Sequence, residues 1–473
     1  MLDQLRRTRI YWLLALLSLA GYAIMRVWFP LSPFALANPL PDESHFATWP
    51  WLTLGYAGLL CIQFALYLLA YREVQGSRAP GTVWAVLIPA ALFAALLVGA
   101  FTINATDLHR YVMHARVQAV YGQNPYTTPL NAIRNDPYLY FAGEWGKESS
   151  PYGPVWQLVS QVLVRISGDD FAQSLWLFKG LTAGLSLGIA GLIWLALRQL
   201  PPSERLGRVL LWAWNPALWM IFAVDGHNDS LVLFWLVLGW LLISRGRPTL
   251  GLIVMVLAPL VKMSGLLPIP FFALGVWHNL PSLRARVKVF LPAIAGMAAV
   301  TFLAFLPFGS PLDLAARLVR EAKEAGGFSP LVTLVLIARK LGQDPSADTL
   351  IAGAGLVLAL IAMWIAWRTW RGRSALRAAA DINAAYLLLA YSFRIWYASW
   401  VFPWLVLDPS EGRGGLRLRA GIWFLLTTQL SVLLYGQLRR AMLGGDITWA
   451  HILGIPFVFG LPLLLAYLGE RRG

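Results

Sequence analysis

Apolar stretches close to the length of a bilayer crossing recur along the whole chain, at 10–29, 50–71, 82–103, 172–198, 209–224, 228–244, 288–307, 349–370, 416–437 and 449–469. A helix needs about 20 such residues to cross the hydrocarbon core, where only helices or closed barrels satisfy every backbone polar group. Two further stretches, 249–279 and 380–408, are interrupted by Lys262 and Arg394 and read as hairpins of short or tilted helices. The chain is thus expected to be all-α, a polytopic transmembrane bundle of about 11–14 spans with juxtamembrane helices on the outer face. Only 13% of its residues are charged and 58% are hydrophobic, against about a quarter charged in a soluble domain.

The net charge of +15 raises the question of nucleic acid, but its placement answers it. Arg205 and Arg208, Arg245 and Arg247, Arg284, Arg286 and Lys288, then Arg368, Arg371, Arg373 and Arg377, and Arg413, Arg417 and Arg419 fall in short loops between apolar stretches. That is the positive-inside pattern, and no continuous basic face forms for nucleic acid. Arg6, Arg7 and Arg9 precede the first span, which is too long for a signal-peptide core and reads as a signal anchor. Counting from an inner N-terminus puts the acidic 30–49 loop and 104–171 outside, with 154–167 lying on or dipping into the outer face. Every arginine-rich loop, Arg471 and Arg472 then fall inside. The expected location is the plasma membrane, as one membrane domain: spans over 1–103, an outer loop over 104–171, and further spans over 172–473 with a second outer loop at 307–345. The single cysteine, Cys61, excludes a disulfide framework. The 23 tryptophans suit interface belts and sugar-stacking platforms alike.

The polar segment 104–154 carries the first chemistry. Asp107 follows the third span, and Arg110 and Tyr111 share its helical face, with His114, Arg116 and Tyr121 continuing the polar side. Gly122 ends the helix and Asn124-Pro125-Tyr126 makes a turn. A carboxylate there can take a proton from an acceptor hydroxyl while arginine or histidine neutralises a departing phosphate; the plainer reading is an interfacial helix with solvated charges. Asp225, His227, Asn228 and Asp229 gather at an outer helix junction, either to bind acceptor hydroxyls or to cap the next helix. Lys262 and Arg394 are costly inside apolar stretches and are candidates to grip a lipid phosphate, with snorkelling as the alternative. Trp396, Tyr397 and Trp400 surround Arg394 as a sugar or prenyl site would. In the 307–345 loop, 313–323 reads as an amphipathic helix, Gly326-Gly327 as a hinge and 329–340 as an interfacial helix, forming either a lid or a passive surface.

The Asp107-x-x-Arg-Tyr … Gly122-x-Asn-Pro-Tyr-x-x-Pro129 arrangement resembles the first outer loop of polyprenyl-phosphate-dependent mannosyltransferases of the GT-C superfamily. It is most similar to that of the bacterial α-mannosyltransferases of glycolipid and lipoglycan synthesis. Ser150-Pro-Tyr-Gly-Pro154, with Tyr152 at its centre, Trp214-Asn-Pro-Ala … Asp225-Gly-His-Asn-Asp229 and Trp396-Tyr-Ala-Ser-Trp-Val-Phe-Pro403 are similar to further segments of such enzymes, in matching order. The resemblance implies a GT-C-like fold, a polyprenyl-phosphate sugar donor with mannose as the sugar, a lipid or glycan acceptor, and inverting displacement with Asp107 as general base. It implies no cofactor, and no Gly-rich nucleotide-binding pattern is present. Met113-His114-Ala115 stands where many relatives carry a second acid, which leaves the exact sugar and metal dependence open; one firm acid disfavours a metal site. The alternatives from other classes are a transporter or flippase of lipid-linked sugar, and a non-catalytic envelope-synthesis scaffold.

Overall fold

A computed structural model describes residues 2–37, 50–76, 82–321, 323, 326–411 and 415–470. Residues 38–49, with the acidic part of the first expected outer loop, and Arg413, Arg471 and Arg472 lie outside the described residues. Among the described residues the regular structure is helical, apart from two isolated β-bridges. Seven helices among the described residues are long and apolar enough to cross a membrane: Arg7–Trp28, Leu52–Gln75, Phe171–Ala196, Leu283–Phe305, Ala347–Trp370, Leu416–Met442 and Ile447–Gly469. The pair Pro202–Ala213 and Pro216–Val224 passes the same test only when taken together and is bent by 42°, as a broken span or a re-entrant loop would be. The bend has a local cause: Pro216 cannot donate to the helical ladder, and Asn215 instead caps the next turn through Ala217 N. Trp84–Val98, Asp229–Ser244 and Ile395–Leu407 are shorter apolar helices. The chain is a multi-pass helical membrane protein. Only 6% of the apolar window in Ala347–Trp370 and 11% of that in Leu283–Phe305 is buried by protein, so lipid must cover the rest.

The chain divides into two compact units. The first comprises Met1–Leu238, Leu257–Met263 and Thr301–Arg317. In it the Leu2–Trp28 helix packs on Pro50–Gly76 and Trp84–Val98, and Asp107–Ala119 packs on Pro154–Ser167 and Phe171–Ala196. Leu31 N donates to Gly99 O at 3.0 Å and Phe101 N to Phe29 O at 2.7 Å, tying the ends of the first and third apolar helices together where the polar segment begins. Pro154–Ser167, expected as a helix that does not cross, turns Gln157, Ser160 and Gln161 inward.

The second unit comprises Gly239–Val256, Ser264–Val300 and Leu318–Gly473. Leu416–Leu433 packs on Leu461–Glu470, and Ala375–Leu389 on Ala347–Trp370 and Ile269–Asn279. Gly326 and Gly327, expected as a hinge, lie where two backbones approach closely. Phe393 N donates to Gly326 O at 2.8 Å, and a Cβ on Gly327 would lie 1.8 Å from Phe393 O at a φ of +59°.

This contrast is measurable. Gly122→Ala meets open space at a φ of +64° and should cost about 1–2 kcal/mol, the ordinary left-handed penalty. Gly327→Ala adds a backbone collision and should lower the thermal midpoint in detergent by clearly more. Equal losses would contradict the packed reading.

Candidate active site

The helix Asp107–Ala119 places Asp107 in its first turn, where a carboxylate suits the helix dipole. Asp107 is half-buried, whereas Arg110, Tyr111 and His114 are buried. An apolar environment holds a guanidinium only if it is otherwise solvated, and aromatic rings do so here. The Arg110 guanidinium lies 4.0 Å from the Trp145 ring centroid and 5.6 Å from that of Tyr152. Its Nε donates to His114 Nε2 at 3.4 Å. Burial, with the Arg110 and Arg317 guanidiniums, holds His114 well below the usual imidazole range, so it is neutral. Tyr111 meets Tyr152 and Trp156 edge-on at 4.9 and 5.1 Å. The Tyr152 hydroxyl donates to the Asp107 carboxylate at 3.3 Å.

Two turns set Tyr152 in that place. Asn124 accepts from Tyr126 N at 3.0 Å and donates to Phe308 O at 2.7 Å, while Tyr126 packs on Phe305 and Phe308. Ser150 N donates to Pro125 O at 2.8 Å, and Ser150 Oγ accepts from Tyr152 N at 3.2 Å. Gly153 N and Val155 N donate to Val261 O and Leu260 O, both at 2.9 Å. Glycine is required here, since a Cβ at 153 would lie 2.2 Å from Leu260 O. The 150–154 turn is thereby laid against the segment that carries Lys262.

Lys262 donates to both oxygens of Asp229 at 3.1 Å, so its charge is held by a buried carboxylate and its side chain remains 18% exposed. His227 is buried, and burial lowers its pKa to about 4 against the opposing pull of the Asp107 and Asp229 carboxylates. Tyr111 donates to Asn228 Oδ1 at 3.4 Å. Asp225 accepts from Ile103 N, Asn104 N and Asn104 Nδ2 at 2.9, 3.1 and 3.1 Å. The first unit therefore brings together Asp107, Arg110, Tyr111, His114, Tyr152, His227, Asn228, Asp229 and Lys262. Asn124, Tyr126 and Asp225 brace the backbone around them. Arg394, Trp396 and Tyr397 belong to the second unit, where Tyr397 N donates to Arg394 O at 2.9 Å and the Tyr397 ring stacks on Trp400 at 4.1 Å. Among the described residues, no group of three His, Cys, Asp or Glu side chains is placed to hold a metal ion.

Several residues went unread in the sequence. Arg317, on the Pro311–Glu321 helix, is fully buried, with Nε donating to Ser149 O at 3.1 Å and lying 3.2 Å from Glu148 Oε2. The available signal was its spacing of three from Leu314, which puts it on the apolar face of an amphipathic helix. Lys179 interrupts the 172–198 stretch and is fully buried, donating to Ala100 O; a charge in a span was the signal. Arg116, read as part of a polar face, is buried against Asp136 at 2.7 Å and closes the 120–138 loop onto the helix.

A family model described as alpha-(1->6)-mannopyranosyltransferase, N-terminal domain, matches residues 12–278, more than half of the chain. The chain is similar to alpha-(1->6)-mannopyranosyltransferase A of Mycobacterium tuberculosis, 25% identical over 431 residues that cover 81% of this chain and 78% of that protein. It is also similar to alpha-(1->6)-mannopyranosyltransferase A of Corynebacterium glutamicum, 24% identical over 235 residues, 46% of each. The matched region runs from the first span past Lys262 and so holds the whole Asp107 cluster apart from Arg317.

The buried histidines make stability depend on pH. His109 sits among Phe101, Phe141 and Phe171, and burial lowers its pKa to about 4. The unfolded chain protonates near 6.5, so between about 6.5 and 4 it binds more protons than the native state. The stabilisation is complete above that window and is lost as pH falls through it. His109→Phe should flatten the acid side of the melting-midpoint profile in detergent; an unchanged acid limb would contradict the assignment.

Proposed function

Because the chain belongs to the alpha-(1->6)-mannopyranosyltransferase family, and so is a membrane glycosyltransferase, we propose that it transfers mannose from a polyprenyl-phosphate carrier to a lipid or glycan acceptor at the extracytoplasmic face. The transporter and scaffold alternatives fall away with that membership. The observation that carries the reading is Asp107: a half-buried carboxylate in the first turn of a helix, held by Tyr152, whose ring also lies 5.6 Å from the Arg110 guanidinium.

In the proposed step the acceptor hydroxyl oxygen attacks C1 of the mannosyl phosphate and Asp107 takes the hydroxyl proton. The C1–O bond to phosphate breaks, and its electron pair leaves with the polyprenyl phosphate. Inversion at C1 to give an α-linked product requires a β-linked donor. Tyr152 fixes one carboxylate oxygen and so orients the other toward the acceptor. Arg110, one turn along the helix from Asp107, and Lys262 are the cations of this unit that meet the developing phosphate charge; Arg394, Trp396 and Tyr397, in the second unit, are read separately as phosphate, sugar or prenyl contacts. Tyr111, His114, His227, Asn228 and Asp229 line the substrate region, and Asn124, Tyr126 and Asp225 shape it. The outer-face placement is supported by the arginine-rich loops, which alternate with the site-bearing segments.

The test is transfer by purified protein given polyprenyl-phosphate mannose and an α-mannoside acceptor. Asp107→Asn should lower kcat by about 100-fold or more, the span of general-base catalysis. Activity near wild type would overturn the mechanism.

A further inference from the structure

The turn 225–228 touches the start of the catalytic helix at three separate points. Asp225, only 1% exposed, accepts three hydrogen bonds from Ile103 and Asn104, four and three residues ahead of Asp107. Gly226 has a φ of +70°, and a Cβ there would lie 3.0 Å from the Leu108 side chain, the neighbour of Asp107. Asn228 accepts from Tyr111 one turn further along the helix. Lys179 completes the arrangement: its stem packs against Gly226 and its ammonium donates to Ala100 O, just before the segment that Asp225 holds.

Ile103 and Asn104 lie between the Trp84–Val98 and Asp107–Ala119 helices, so their amide groups have no helical partner. A buried amide without a partner costs about 1–3 kcal/mol, which makes one carboxylate facing two successive N–H groups a strong local constraint. We infer that Asp225 is a positioning residue: it fixes the 103–106 segment and thereby sets where the Asp107 carboxylate stands relative to substrate. This assignment rests on the reading of Asp107 as the base and gives Asp225 a role distinct from substrate contact. A misplacement of about 1 Å at a reacting group costs on the order of 100-fold in rate, so a backbone support can control turnover without touching substrate.

The chemistry of the contact offers a specific test. In Asp225→Asn the amide oxygen can still receive the Ile103 and Asn104 N–H groups, but its NH2 faces the Asn104 NH2, donor against donor. Exchanging the pair, Asn104→Asp with Asp225→Asn, restores a donor–acceptor match and keeps the total charge beside Lys179. Steady-state transfer by purified full-length protein should show kcat reduced by about 10–100-fold in Asp225→Asn, with the donor and acceptor KM within about twofold, and a substantial recovery of kcat in the exchanged pair. Asn104→Ala, which removes the side-chain bond to Asp225 and leaves both backbone bonds, should lower kcat more mildly and covers the case in which Asp225→Asn does not fold. A raised KM at unchanged kcat would make Asp225 a substrate contact and overturn the inference, as would wild-type kcat in both single variants. Asp107→Asn measured alongside separates the two claims. Full activity there defeats the base reading, whereas an inactive Asp107→Asn beside fully active Asp225→Asn and Asn104→Ala defeats the positioning alone.

Discussion

Irregular backbone buried in a membrane bundle must find partners other than water, and the structure around Asp107 is organised by that requirement. The segment leaving the third apolar helix has amides that no helix satisfies, and Asp225 supplies their acceptor from 121 residues away in the chain. The same solution recurs at smaller scale. Asn124 spends its amide on Phe308 O and Tyr126 N, Ser150 reaches Pro125 O, and Gly153 and Val155 pair with the carbonyls of 260 and 261. Each bond closes a connection between polar loops, and together they leave Asp107 only partly covered.

Charge is handled by the same economy. Arg110 is wrapped by Trp145 and Tyr152, Lys262 is held by Asp229, and Arg317 by Glu148 and the Ser149 carbonyl. Burial first, and then the Arg110 and Arg317 guanidiniums, disfavour the charged form of His114. The result is a carboxylate beside cations whose charges are already partly balanced. In the proposed transfer such groups would meet a phosphate leaving group by position, with little reorganisation.

Much of this was legible in the sequence wherever the chemistry is local. The apolar stretches fall on helices, and the breaks expected near Lys262 and Arg394 are real, with 3₁₀ turns at Met263–Leu266 and Ile395–Trp400. The Asp107 helix, its stop near Gly122 and the Asn124 turn follow from side-chain types a few residues apart. The pairings were not legible. Nothing in the spacing of Asp225 and Asn104, or of Lys262 and Asp229, announces that they meet, since those contacts exist only once several helices have packed. Arg317 was hidden for the opposite reason: its helix looked like an ordinary amphipathic surface element, and a buried arginine on such a face is seen only when its partners at 148 and 149 are in place. Gly326 and Gly327 show the same limit, because two glycines look alike in sequence whether they bend or pack.

With Asp107 as the base, the acceptor hydroxyl must meet the donor's reacting carbon beside the Asp107 carboxylate. The most direct measurement is an experimental structure of the full-length protein with a non-transferable phosphonate analogue of polyprenyl-phosphate mannose. The phosphonate is expected within hydrogen-bond reach of Arg110 or Lys262, with C1 of the mannose on the Asp107 side. An ordered phosphonate far from Asp107, with no path for its sugar to reach that carboxylate, would contradict it.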